Sequence, residues 1–363
     1  MKIGIIGTRG IPNQYGGFEQ FAEFVAPELV RRGHEVVVYN SSLHPYKEKS
    51  WNGVRIVHRR DPENKLGSFG QFIYDLNCIW HSRSQKFDVI LQLGYTSSSV
   101  WSFLFPRKAA VVTNMDGLEW MRSKYSKPVQ SFLKKAEKWA ALKSDALIAD
   151  SKAIQAYLQK KYNKSSAFIA YGANPVEQVS ADVPAKFGLA AYNYNLVIAR
   201  MEPENNIEPI IRGHLAATVK TTLVIIGGYS NQYGQYLKST YENERFRFAG
   251  PVYDMEALNA LRYYSNFYFH GHSVGGTNPS LLEAMASQAL IVAHGNDFNR
   301  AVLEEDAFYF NNEKDITQLL EAGIARDKYA SYVHNNFYRI KNEYSWNNIA
   351  NLLENYLKTA LNQ

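Results

Sequence analysis

The stretch His270-Gly-His-Ser-Val-Gly-Gly-Thr-Asn-Pro-Ser-Leu-Leu-Glu-Ala-Met285 sets a glycine-rich turn directly before a helix. Gly275 and Gly276 can take positive φ, which lets backbone N–H groups converge on one point. Thr277 or Asn278 is placed to cap the helix, and Pro279 suits its first turn. Unpaired N–H groups and the helix dipole both favour negative charge there, so the turn is a candidate anion site. Glu283 falls one turn further in, where its carboxylate can accept hydrogen bonds from hydroxyl groups beside that anion. An anion flanked by hydroxyls describes the diphosphate and sugar of a nucleotide-sugar. The competing reading is a well-capped core helix.

A second glycine-rich loop, Gly7-Thr-Arg-Gly-Ile-Pro-Asn-Gln-Tyr-Gly-Gly-Phe-Glu19, follows the first apolar run. Its spacing is not the G-x-G-x-x-G of a dinucleotide site, and the loop is longer than a tight cofactor turn. Gly16 and Gly17, just before a helix, allow close backbone approach to a phosphate or sugar; glycines that merely turn the chain are the alternative.

These loops need strands and helices to hold them. Short apolar or β-branched runs at 2–7, 36–39, 54–58, 89–93, 110–113 and 146–149 alternate with helical patterns such as 18–32 and 128–143. A second alternating set, with strands at 196–199, 222–226, 245–249, 267–270 and 290–293, follows a polar stretch at 174–195. The pattern predicts two doubly wound, Rossmann-like α/β domains, with ligands at the carboxyl ends of the strands in a cleft between them. The expected domains are 1–172, joined by a final helix at 345–363, and 173–344.

Composition agrees with a folded chain: 363 residues, 46% hydrophobic and 20% charged. One cysteine, Cys78, leaves no intramolecular disulfide and suits a reducing compartment. No secretory leader is visible, and the uncharged stretch 89–105 is too polar to span a membrane. Residues 1–170 hold 25 Lys and Arg against 14 Asp and Glu, a balance of +11, and the remainder hold 15 against 20, or −5. The basic part includes Arg122, Lys124, Lys127, Lys134, Lys135, Lys138 and Lys143, headed by Trp120 and Tyr125. Such a segment fits an anionic membrane surface or, in the plainer reading, a solvated face.

The motifs Gly16-Gly17-x-Glu19, Arg32-Gly-His-Glu-Val36, Asp150-Ser151, Ala199-Arg200-x-x-Pro-Glu204-x-Asn206, Ile226-Gly-Gly228, Phe248-x-Gly250 and Leu282-Glu-Ala-Met285 run the length of the chain in order. Together with Tyr344-Ser-Trp346 before a final helix, they resemble the retaining GT-B glycosyltransferases of family 4. Thr8-Arg-Gly-Ile-Pro12, Met115-Asp-Gly-Leu-Glu-Trp120 and Ser273-Val-Gly-Gly-Thr-Asn-Pro-Ser280 resemble, more narrowly, bacterial rhamnosyltransferases of cell-surface polysaccharide synthesis. The resemblance implies a GT-B fold whose last helix crosses back to the first domain. It also implies a nucleotide-sugar donor, dTDP-L-rhamnose for the subgroup, and retention at the sugar carbon. The expected acceptor is a saccharide, lipid-linked or free, met at the inner face of the plasma membrane. No nucleic acid, metal or cofactor is expected.

Two positions depart from the family pattern. Arg200 is present, but Asn205 stands where a lysine would help clamp the diphosphate. Glu283 matches the second carboxylate of the family's Glu-x7-Glu, while the first position is Gly275. On this reading Arg200 and the N–H groups of Gly275, Gly276, Thr277 and Asn278 stabilise the leaving diphosphate. Glu283 holds the nucleotide's sugar and the Val252 backbone meets the base. Asp116, with Glu119 in reserve, orients or deprotonates the acceptor hydroxyl, unless Asp116-Gly117 is simply a turn. A nucleotide-sugar 2-epimerase and a non-catalytic nucleotide-sugar-binding protein are the alternatives.

Overall fold

A computed structural model describes residues 1–14, 16–115, 117–122 and 125–362. The chain divides into two compact units, Met1–Tyr171 with Trp346–Gln363, and Gly172–Ser345.

The first unit carries an eight-stranded sheet: β1 (Lys2–Ile6), β2 (Glu35–Ser41), β3 (Ser50–Trp51), β4 (Val54–Arg59), β5 (Val89–Leu93), β6 (Ala110–Asn114), β7 (Ala146–Ala149) and β8 (Ala167–Phe168). Their order is β3-β4-β2-β1-β5-β6-β7-β8, parallel except for the antiparallel β3–β4 pair. The central strands β1 and β5 read as near-continuous apolar runs because helices cover both faces of such a sheet. The strand order reverses direction between β1 and β5, which makes their loops the natural ligand-binding edge.

The second unit carries β9 (Tyr194–Ile198), β10 (Thr222–Ile226), β11 (Phe246–Gly250), β12 (Tyr268–His270), β13 (Ile291–His294) and β14 (Phe308–Phe310), all parallel, in the order β11-β10-β9-β12-β13-β14. Here the reversal lies between β9 and β12. The sequence pattern missed β3, β8 and β14, edge strands of two or three residues that are too short to show a period.

The final helix, Trp346–Ala360, belongs to the first unit. Trp346, Ile349, Ala350, Leu353 and Leu357 form its buried stripe, at the spacing of one helix face. Trp346 stacks on Phe24 of the Gly17–Arg31 helix, with ring centroids 4.5 Å apart. The Arg32-Gly-His34 motif explains itself here. Arg32 donates to Asn347 and Asn351 and pairs with Glu354 at 3.1 Å, and His34 Nε2 meets the same carboxylate at 3.0 Å.

Trp346→Ala should destabilise the chain by about 3–5 kcal/mol, the usual cost of emptying a buried aromatic site. Urea unfolding followed by far-UV circular dichroism measures it, and a loss below about 1 kcal/mol would mean that the final helix is held without its stacked ring.

Candidate functional sites at two strand reversals

In the second unit, two loops meet at the β9–β12 reversal. The loop after β9 carries Arg200, and the loop after β12 carries residues 271–278. They are laced together: Ser273 donates from N (3.0 Å) and Oγ (2.8 Å) to the Glu204 carbonyl, and Asn206 Nδ2 donates to the Gly271 carbonyl at 2.7 Å. Gly271 allows this approach, since a Cβ there would lie 2.0 Å from the Asn205 carbonyl oxygen. Arg200 is exposed and, among the described residues, makes no ion pair. Asn205 is buried and donates Nδ2 to the Arg200 carbonyl at 2.7 Å. Its amide therefore shapes the loop that presents Arg200.

Asn278 caps the Pro279–Ala286 helix, its side chain accepting from Ser280 N at 2.9 Å. Ser280 Oγ in turn bonds the Tyr268 hydroxyl at 2.8 Å, fixing the helix start against β12. Gly275 has φ +131°, with open space where a side chain would stand. Gly276 does not take the expected positive φ; one glycine is enough to turn the chain. Thr277 is buried. Val252 lies just beyond β11, half-buried, beside the exposed Tyr253.

Glu283 has a partner that sequence reasoning missed. Arg262, buried in the Met255–Tyr263 helix, donates NH2 to Glu283 Oε2 at 2.5 Å. The ion pair holds the carboxylate one turn inside the helix. Beneath the glycine turn sits His270, buried, with neither ring nitrogen hydrogen-bonded and its ring stacked 4.5 Å from His272. Burial, with His272, Arg262 and His294 adding to it, holds its pKa well below the ordinary histidine value, so the ring is neutral. Buried unpaired nitrogens ask for a water or ligand partner.

In the first unit, the β1–β5 reversal encloses a pocket of about 120 Å³, lined by Thr8, Arg9, Gln71, Asp75, Gly94 and Ser97 among others. That is room for a few waters or the edge of one sugar ring. Thr8 Oγ1 is buried without a hydrogen-bond partner. Asp75 accepts from Ser97 Oγ at 2.5 Å. Burial raises its carboxyl to about 6, against the lowering effects of the Ser97 bond and Arg9. Arg9 is itself matched by Asp61 (3.2 Å) and Glu63 (2.8 Å), while its N–H donates to Glu19 at 2.6 Å. Gly16 caps the Gly17–Arg31 helix with the Glu19 carboxylate close against it, and Gly17 lies against the Tyr171 ring. Glu119 begins a short 3₁₀ turn and pairs with Arg122 at 2.6 Å. Asp116 lies outside the described residues. Among those described, no three His, Cys, Asp or Glu side chains gather as a metal site, and no helix is long and apolar enough to cross a membrane.

Residues 1–174 match a family described as a domain of unknown function, DUF1972. No curated protein matches the sequence. Among solved structures, sucrose-phosphate synthase from Thermosynechococcus elongatus is similar at 16% identity, covering 99% of this chain and 98% of its own, with a TM-score of 0.80. Anabaena HepE in complex with UDP-glucose covers 99% of both chains at 14% identity and a TM-score of 0.76. A glycosyltransferase from Rickettsia africae covers 99% and 98% at 14% identity, with a TM-score of 0.72. The shared architecture is the GT-B fold, two Rossmann-like parallel-sheet domains.

Asp75 gives a pH signature. Its carboxyl binds a proton more tightly in the folded than in the unfolded chain, so its ionisation destabilises the fold as pH rises from about 4 through 6. Asp75→Asn keeps the acceptor for Ser97 and removes the charge. The variant should be more stable than the parent at pH 7.5, by about 1–3 kcal/mol, and equal to it near pH 4. Urea midpoints at the two pH values test this, and a pH-independent difference would show that Asp75 is not ionising in place.

Proposed function

We propose that the protein transfers a sugar from a nucleotide-sugar, held by the second unit, to a saccharide acceptor whose sugar occupies the β1–β5 pocket of the first. The observation that carries this reading is the meeting, at one strand reversal, of a capped glycine turn and Arg200, which has no ion pair among the described residues. UDP-glucose in HepE, on the same fold, supports the donor class. The motif resemblance narrows the donor to dTDP-L-rhamnose, the outcome to retention, and the acceptor to a lipid-linked saccharide of cell-envelope synthesis at the inner membrane face.

Cleaving the bond between sugar C1 and the diphosphate oxygen leaves both electrons, and so negative charge, on the leaving diphosphate. Arg200 and the N–H groups at residues 275–278 stabilise that charge as it grows. Glu283, oriented by Arg262, meets a hydroxyl of the nucleotide sugar, and the Val252 backbone meets the base. Asp116 accepts the acceptor proton, with Glu119 in reserve. Asn205 acts through Arg200, and the Gly16–Gly17 backbone edges the donor sugar. The reaction as proposed calls on no metal or cofactor. A 2-epimerase or a simple binder has no use for the hydroxyl-lined pocket in the first unit.

Incubation with a panel of UDP- and dTDP-sugars separates the readings. Transfer or slow hydrolysis releases nucleotide diphosphate, epimerisation changes the sugar alone, and a binder does neither; either of the last two results overturns the proposal. Arg200→Ala should lower turnover by about two to three orders of magnitude with a smaller effect on donor affinity. Calorimetry with the nucleotide diphosphate tests Glu283→Gln. A weakening of about 1–3 kcal/mol is expected, and unchanged affinity would leave Glu283 a structural residue paired with Arg262.

A further inference from the structure

The first unit bears a surface that the transfer chemistry leaves unused. Along the Phe69–Ser82 helix, Phe69, Phe72, Leu76 and Trp80 fall on one stripe, with Phe69 63% and Trp80 64% exposed. Along the Lys127–Lys143 helix, Val129, Phe132, Trp139 and Leu142 form a second stripe, interrupted by Lys135 at the same helical spacing. The stripes join where the rings of Phe72 and Phe132 lie 5.7 Å apart. The 3₁₀ helix Ser98–Leu104 adds Phe103, 73% exposed, and is tied to the first helix by Trp101 Nε1 donating to the Phe72 carbonyl and by Arg83 donating to the Leu104 carbonyl.

Beside this band lies a groove of about 550 Å³ lined by Arg59, Arg60, Asn77, Trp80, His81, Arg83 and Ser84. None of the three arginines has an ion-pair partner among the described residues, and the buried Nε of Arg59 has no hydrogen-bond partner. The Arg83 guanidinium lies over the Trp80 ring. The two helices and the 3₁₀ segment contain only two carboxylates, Asp75 and Glu137, and both are buried. The exposed side of these three elements is therefore apolar and cationic, without an exposed carboxylate of its own.

We infer that this face docks on an anionic lipid bilayer, with Trp80, Phe103 and Phe69 entering the interface and a lipid phosphate held by Arg59, Arg60 and Arg83. Aromatic side chains beside unpaired cations match a surface that is apolar inside and negatively charged at its rim. A second copy of the chain fits poorly, because a symmetric pairing would set the same unpaired cations against each other. The face rests on the reading above only in its choice of a lipid-linked acceptor.

The location differs from that expected of the sequence. Trp120 is not an anchor: its Nε1 donates to Glu137 at 2.9 Å, and the ammonium groups of Lys134 and Lys161 lie 4.5 and 5.6 Å from its ring. Lys134 thus belongs to that cluster, and Lys135 to the docking stripe.

Sedimentation of the full chain with phosphatidylcholine vesicles, with and without phosphatidylglycerol, tests the inference. Binding should require phosphatidylglycerol and fall with salt. Arg60→Gln with Arg83→Gln should weaken it about twenty-fold, since each basic contact at such a surface is worth about five-fold. Trp80→Ser with Phe103→Ser should weaken it at least about ten-fold. Lys135→Glu should weaken binding more than Lys134→Glu. All variants should keep the parent's circular dichroism and its nucleotide release with a soluble acceptor, which separates failure of docking from failure of transfer. The inference is overturned by equal binding to both vesicle types, by parent-like binding of the aromatic variant, by full release with millimolar inorganic phosphate, or by a dimer that Phe103→Ser dissolves.

Discussion

The loop edge at the β9–β12 reversal depends on two backbone carbonyls, those of Glu204 and Gly271, each claimed by a side chain from the opposite loop. Ser273 takes the first and Asn206 the second. Part-buried carbonyls that lose their donors cost stability, so the two loops do not separate without loss. Arg200 and the glycine turn are far apart in sequence, and this lacing makes them neighbours at the β9–β12 reversal. Ser280, bonded to Tyr268, then sets the helix start against the same strand. The proposed anion site is thus a property of two loops acting as one element.

The two reversals differ in electrostatics. In the second unit Arg200 makes no ion pair among the described residues, and its charge is available to a diphosphate. In the first unit Arg9 is met by Asp61 and Glu63, and Asp75 stands near it in a buried pocket. A phosphate entering that pocket would meet more carboxylate than guanidinium, whereas sugar hydroxyls would find Thr8, Ser97 and Asp75 ready to bond. Unpaired basic charge of residues 1–170 instead includes the Arg59–Arg60–Arg83 groove. Net charge alone did not distinguish these two surfaces of one unit.

How much of this was legible depended on the range of the interaction. The strands β1, β5, β9 and β12, the cap at Asn278 and the turn at Gly275 are local, and the pattern of apolar runs and small residues announces them. Arg262 was invisible because a buried arginine breaks helical patterning; it is tolerated here by pairing with Glu283, twenty-one residues away, and by a bond to Asn259. Asp75 reads as one polar position in an amphipathic helix, and only the sheet topology turns it into a pocket. Trp120 misled because residue type suggests an interface, while its indole N–H is satisfied inside the fold by Glu137.

The departures at 205 and 275 take on meaning from this geometry. Asn205 is buried with its amide on the Arg200 carbonyl, a task for a short neutral donor. A lysine there would have to carry its ammonium out past the loop and leave that carbonyl without the bond. Gly275, at φ +131°, sits in a conformation that L side chains rarely adopt, so a carboxylate there would require another turn. The two changes remove one cation and one anion, and put a fixed loop and a backbone turn in their place. In the proposed transfer, stabilisation of the leaving diphosphate then falls to Arg200 and to oriented N–H groups. Such dipoles are already aligned when charge develops and need little reorganisation to meet it.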